Sequence, residues 1–245
     1  MKFNRLHPWR VDYKKAVQIQ ETLRDLLIFK KPTGRIRTIA GADVSYDKHS
    51  DRFFAGVVVF TFGKRLEKIE ESTVVGKARF PYIPGLLSFR EAPILLKAFK
   101  KLKNNPDVIL FDGQGIAHPR YFGLASHMGL ILDKPSIGCA KSRLVGEYDC
   151  VKNVVGEYSK LFYKNKIVGA VLRTKINTNP IFVSPGHKTN LTFAIRIALK
   201  TCRGYRIPEP IRQAHLLVNK VRRELVRRTH PTYIVVDNAT ITLVN

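Results

Sequence analysis

The chain has 245 residues, 44% of them hydrophobic, enough for one large α/β domain or two small ones around a buried core. Its 43 Lys and Arg against 19 Asp and Glu leave a formal charge of +24, more than solubility requires, so a polyanionic partner is expected, with a proteome of basic bias and an anionic membrane surface as the alternatives, the membrane the weaker of the two. The longest apolar run, "FFAGVVVF" at 53–60, is too short to span a bilayer and the N-terminus lacks the apolar centre of a signal peptide, which makes the membrane case the weaker one and gives a cytoplasmic location as the expectation.

Residues 11–29 place Ala16, Ile19, Leu23 and Leu26 at helical spacing between charges and predict an amphipathic helix. "RTIAGADVSY", "RFFAGVVVFTF" and "RLEKIEESTVV" follow, β-rich and broken by Gly, Asp or Lys, and predict three consecutive antiparallel strands. Past the loop "FPYIPGLLSFREAP" at 80–93, residues 94–102 read as a helix. "DVILFDG" at 107–113 is short and continuously apolar, as in a strand buried on both faces. A helix at 121–131, strands "PSIGCAK", "IVGAVLRT" and "IFVS", and helices at 189–201 and 209–228 follow, then a hairpin in "TYIVVDNATITLV" turning at Asp237 and Asn238. With no repeat, low-complexity segment or linker, one mixed α/β domain over 1–245 is expected. Cys139, Cys150 and Cys202 are odd in number and never spaced CxxC, so they read as reduced structural thiols. Between Arg196 and Arg228, ten Lys or Arg oppose only Glu209 and Glu224; this is either a solvated helix face or a phosphate-tracking one, and the one-signed excess favours the latter.

Three carboxylates stand out. Asp43 interrupts the strand "IAGADVS", where an unpaired carboxylate is costly to bury. Asp112 ends "VILFD", where α/β sheets open ligand crevices, although Asp-Gly is also a common turn. Glu91 could close a capping box with Ser88, but Pro93 would then lie at the fifth helical position; a helix starting near Arg90 puts Pro93 in its first turn and frees Glu91. Together they suit one or two Mg²⁺ ions, since hard cations take oxygen ligands, and beside a basic surface that combination suggests phosphodiester hydrolysis. Gly113 and Gly115 allow close backbone approach to a ligand; His118 is a turn residue or lies near the same crevice; Lys141 is solvated or pairs with a phosphate or carboxylate; His127 reads as packing.

"GADVSY", "FPYIPGLLSFRE", "LFDGQGIAHPRYFGLASHMG", "CAKSRLVGEY", "GAVLRTK" and "FVSPGHKTNLTFAI", in this order over about residues 10–228, resemble endonuclease V. The resemblance implies a ribonuclease H-like fold, a central mixed β-sheet flanked by helices, leaving 229–245 as an extension of unassigned role. It implies Mg²⁺-dependent cleavage, with Mn²⁺ accepted in its place, at the second phosphodiester bond 3′ to deoxyinosine in DNA. Asp43, Glu91 and Asp112 match the metal-binding carboxylates, and His118 and Lys141 accessory catalytic positions. Tyr82 matches a strand-separating wedge stiffened by its prolines, and Gly85 and Leu86 the backbone of a base pocket. Pro81, Ile83, Gly113 and Gln114 are the remaining expected substrate contacts, and His187 and His215 are site neighbours of unassigned role. An inosine-specific endoribonuclease of the same family and a non-catalytic nucleic-acid binder are the alternatives, the latter disfavoured by the three carboxylates. A monomer is expected.

Overall fold

The computed structural model describes all residues except 2, 48, 49, 230–232, 238, 239 and 245, with backbone only beyond 225. Strands β1 (Thr38–Tyr46), β2 (Arg52–Thr61) and β3 (Lys68–Lys77) form the expected antiparallel meander. Strand β4 (Val108–Phe111), buried along its whole length, lies parallel to both β1 and β5 (Ser136–Ala140). With β6 (Tyr158–Tyr163), β7 (Lys166–Leu172) and β8 (Ile181–Pro185) they make one eight-stranded sheet of order β3-β2-β1-β4-β5-β8-β7-β6. Among its first five strands only β2 runs against the others, the ribonuclease H-like arrangement.

The alternation of side chains along each strand divides the core into two layers. Ile39, Val58 and Leu110 pack on one face against helices α4 (Leu191–Thr201) and α5 (Glu209–Thr229), with the free thiol of Cys139 buried among them. Ala40, Val57 and Ile109 pack on the other against α2 (Leu87–Lys101) and α3 (Leu124–Leu132). Helix α1 (Tyr13–Arg24), capped by Asp12 accepting from the Lys15 amide at 2.7 Å, is shorter than its apolar pattern; Leu26 is exposed and Leu27 is buried in its place. Strand β6 was not visible in the sequence because it is an edge strand burying only Leu161. The C-terminal strands β9 (Tyr233–Asp237) and β10 (Thr240–Val244) pair antiparallel; of the expected turn, Asn238 falls outside the described residues. Among the described residues no helix is long and apolar enough to cross a membrane.

Candidate active site

Parallel pairing sets two carboxylates side by side. Ala42 is opposite Phe111 in the β1–β4 register, so the next residues, Asp43 and Asp112, emerge together, and the Asp112 amide donates to Ala42 O at 3.3 Å. Helix α5 runs along β1 on the same face. Gly41 abuts the Pro210 carbonyl carbon, where a Cβ would come within 2.0 Å. Two strand residues on, Asp43 Oδ2 meets His215 Nδ1 at 2.7 Å; two further, Ser45 Oγ donates to Asn219 Oδ1 at 3.1 Å. Two strand residues advance about 6.7 Å and four or five helical residues about 6–7.5 Å, so the two elements stay in step. Asn219 Nδ2 lies 3.0 Å from His215 Nε2, on the side of the ring away from Asp43.

One ligand atom each from Asp43, Asp112 and His215 lies within 4.8 Å of the others. Glu91, half-buried on α2, completes the cluster electrostatically: burial, then the charges of Asp43 and Asp112, push its carboxyl well above the ordinary range, against the pull of Arg90. Burial and Asp43 also raise Asp112, opposed by Lys141, whose Nζ lies 2.5 Å from Asp112 Oδ2. Carboxylates held this close repel one another, and a divalent cation among them relieves that repulsion. The donor set fits such an ion. Carboxylates suit Mg²⁺, and a carboxylate and imidazole mixture also suits Mn²⁺.

Helix α2 starts earlier than either reading of its sequence. Leu86 is the N-cap, no side chain caps the helix, and Pro93 is the seventh helical residue, inside the helix rather than in its first turn. The capping box fails because the Ser88 hydroxyl is hydrogen-bonded to His127 Nδ1 at 2.9 Å. Glu91 therefore takes no part in capping, although Pro93 is not the cause.

Beside the carboxylates opens a cavity of about 370 Å³, and Asp112 and Lys141 belong to its wall. Tyr82 stands on its rim, 68% exposed, with Ile83, Gly85, Gly113 and Gln114 lining it. Leu86 is instead fully buried in the core, with its amide spent on Ile83 O, and Leu87 and Ser88 line the wall in its place; Pro81 is exposed outside the cavity while Pro84 lines it. Gln114 donates to Ser142 O at 3.1 Å and leaves a buried Oε1 without a partner. His118 is buried and fully engaged: Nε2 donates to Gly85 O at 2.9 Å and Nδ1 accepts from the Arg120 amide at 3.2 Å. Burial, then the Arg120 charge, lowers it to about 4. Gln20 Nε2 at 3.0 Å and Arg120 Nη2 at 2.7 Å donate to the same Gly85 carbonyl.

The endonuclease V family model matches residues 19–216. Endonuclease V of Methanothrix thermoacetophila is 48% identical over 217 residues, 89% of this chain and 95% of its own. The chain belongs to the endonuclease V family. It is thus a nuclease, a phosphodiester hydrolase. The crystal structure of endonuclease V from Streptomyces avermitilis superposes with a TM-score of 0.84 at 37% identity, over 89% of this chain and 96% of that one. Endonuclease V from Ciona intestinalis, in complex with a 24-mer DNA containing an inosine followed by a ribo-adenosine, superposes with a TM-score of 0.77 at 30% identity, over 86% and 98%.

Two histidines of the chain lie away from the cavity. His187 packs at the start of β5, its amide donating to Ser136 Oγ at 2.8 Å and Nε2 lying 3.5 Å from Asp133, whereas Lys141 follows the other end of that strand. The five strand residues between make it no neighbour of the site, and it ties β8 to α3 instead. His127 is packing, as its apolar helix suggests: fully buried, bonded to Ser88 and to His7 Nε2 at 2.7 Å. The sequence reading missed Gln20 and Arg120. Arg120 stands within the quoted motif two residues past His118, while Gln20, on α1, gave no local signal.

Proposed function

We propose that this member of the family recognises inosine in DNA and hydrolyses the second phosphodiester bond 3′ to it with Mg²⁺ as cofactor. The observation that carries the reading is that Asp112 belongs both to the carboxylate cluster and to the wall of the cavity, so base inspection and hydrolysis share one space. Asp43, Asp112, Glu91 and His215 would hold the metal, which supplies Lewis-acid stabilisation of the developing phosphate charge. Lys141 opposes the rise that burial and Asp43 impose on Asp112 and is near enough to neutralise a phosphate oxygen. Tyr82 fills the gap left by an extruded base, a step costing a few kcal/mol, and the prolines around it hold the ring out before binding. Hypoxanthine carries a hydrogen on N1 where adenine has a lone pair, a difference that fixed backbone groups of the cavity wall would read. His118, with both ring nitrogens engaged and neutral near pH 7, positions the Gly85 loop and moves no proton.

Cleavage of inosine-containing RNA is the second reading, favoured by the ribo-adenosine that follows inosine in the Ciona complex. Matched inosine DNA and RNA strands, incubated with protein and Mg²⁺ beside Asp43→Ala, Asp112→Ala and EDTA controls, decide between them. The parent protein is expected to cut DNA two bonds 3′ to inosine and the controls to cut nothing. Cleavage of RNA alone establishes the second reading, and cleavage of neither overturns both.

A further inference from the structure

We propose that a groove of about 720 Å³ on the far side of the Tyr82 loop binds the strand opposite the lesion once the two strands part; this rests on the reading of Tyr82 as a wedge. The N-terminal segment, the end of β3 and α2 enclose the groove. Its lining carries five cations, Arg10, Lys77, Arg79, Arg90 and Lys97, and no Asp or Glu. Arg90 is built into the wall, over the Phe53 ring at 4.8 Å and donating to Phe80 O at 3.3 Å. Among the described residues the other four enter no ion pair. Trp9, partly exposed, is the ring open to the groove; it meets Phe89 edge-on at 6.2 Å, and the buried Phe89 and Phe80, 5.6 Å apart, back it from the core. Unpaired cations around an accessible aromatic ring are the composition that tracks a single strand, phosphates on the rim and a base over Trp9.

Position selects the strand. Arg79 and Phe80 line the groove and Tyr82 and Ile83 the cavity, while α2 gives Phe89, Arg90 and Pro93 to the first and Leu87 and Ser88 to the second. The wedge residue therefore stands on the divide between two concave surfaces. A base pair opened at Tyr82 sends the inosine strand towards Asp112 and its complement into the groove.

Trp9 is the single tryptophan of the chain, so its fluorescence reports groove occupancy directly. In EDTA, with saturation followed by anisotropy of labelled DNA, an inosine duplex is expected to quench Trp9 and the inosine strand alone to leave it unchanged. The triple substitution Arg10→Gln, Lys77→Gln, Lys97→Gln is expected to weaken duplex binding about tenfold and to reduce its salt slope by about 2.7, from three lost phosphate contacts. Single-strand affinity stays the same. Quenching by both ligands or by neither, or equal loss of affinity for both, overturns the proposal. Because every readout is binding without metal, a protein that binds in this way yet cuts nothing refutes the nuclease reading of substrate and leaves the groove standing.

Discussion

Burial, Asp43 and Asp112 all oppose ionisation of Glu91. A carboxyl raised in the folded state holds its proton more tightly there than in the unfolded chain. Its favourable contribution is complete below the ordinary value of 4.5 and is lost as pH rises through the raised one. At pH 7 without metal, Glu91→Gln is therefore expected to stabilise the protein, by on the order of 1 kcal/mol, while abolishing cleavage. Thermal unfolding in EDTA at pH 7 and pH 4 checks this: the gain should be present at pH 7 and absent at pH 4, and a loss at both would refute it. His118 has the opposite sign. Its lowered value means stability present above 6.5 that is lost as pH falls towards about 4. As a positioning residue, His118→Gln, which keeps a donor for Gly85 O, should retain most activity. His118→Ala should raise KM for inosine DNA several-fold with less effect on kcat, and an equal fall in kcat for both variants would reinstate it as a proton carrier.

Helix α5 reaches Asp43 only because β1 offers a bare backbone at Gly41. Gly41→Ala would drive a methyl into the Pro210 carbonyl, main chain that has no rotamer to yield, so α5 must lift from the sheet and carry His215 off Asp43. The expected cost is about 3 kcal/mol of stability, the upper range for overpacking, together with weakened metal binding. A chemical denaturation curve and a Mn²⁺ titration read the two effects, and unchanged metal affinity would separate α5 docking from the site. The same pair shows what the sequence could and could not reveal. Asp43 and Asp112 were legible because a carboxylate breaking or ending an apolar strand is conspicuous within ten residues. The contact of His215 with Asp43 spans 172 residues, so its place in the site was set by helix docking that no local pattern encodes. The start of α2 was misread for a related reason: Ser88 looked free to cap, but His127 from α3 had claimed its hydroxyl, and tertiary bonding overrode the local signal. Strand β6 escaped because an edge strand with one buried side chain has no apolar alternation to read.

Across the whole molecule a charge of +24 surrounds a cluster of three carboxylates, and the two act against each other in DNA binding. The cations attract phosphates without regard to sequence, releasing counterions as they bind, so non-specific affinity must fall steeply with salt; six contacts give a slope of about −5 in log K against log salt. Without metal, the carboxylates place repulsion where the scissile phosphate has to sit. A divalent cation converts that local repulsion into attraction. Asp43→Ala and Asp112→Ala, inert as nucleases, are therefore expected to bind DNA several-fold more tightly than the parent in EDTA, an advantage that disappears when Mg²⁺ is added and the parent gains its bridging cation. Anisotropy titrations at two salt concentrations, with and without Mg²⁺, measure this directly. A chain that used its basic surface for binding alone would show no metal dependence in the parent protein. Weaker binding by both variants in EDTA would mean that Asp43 and Asp112 support the interface rather than repel the phosphate.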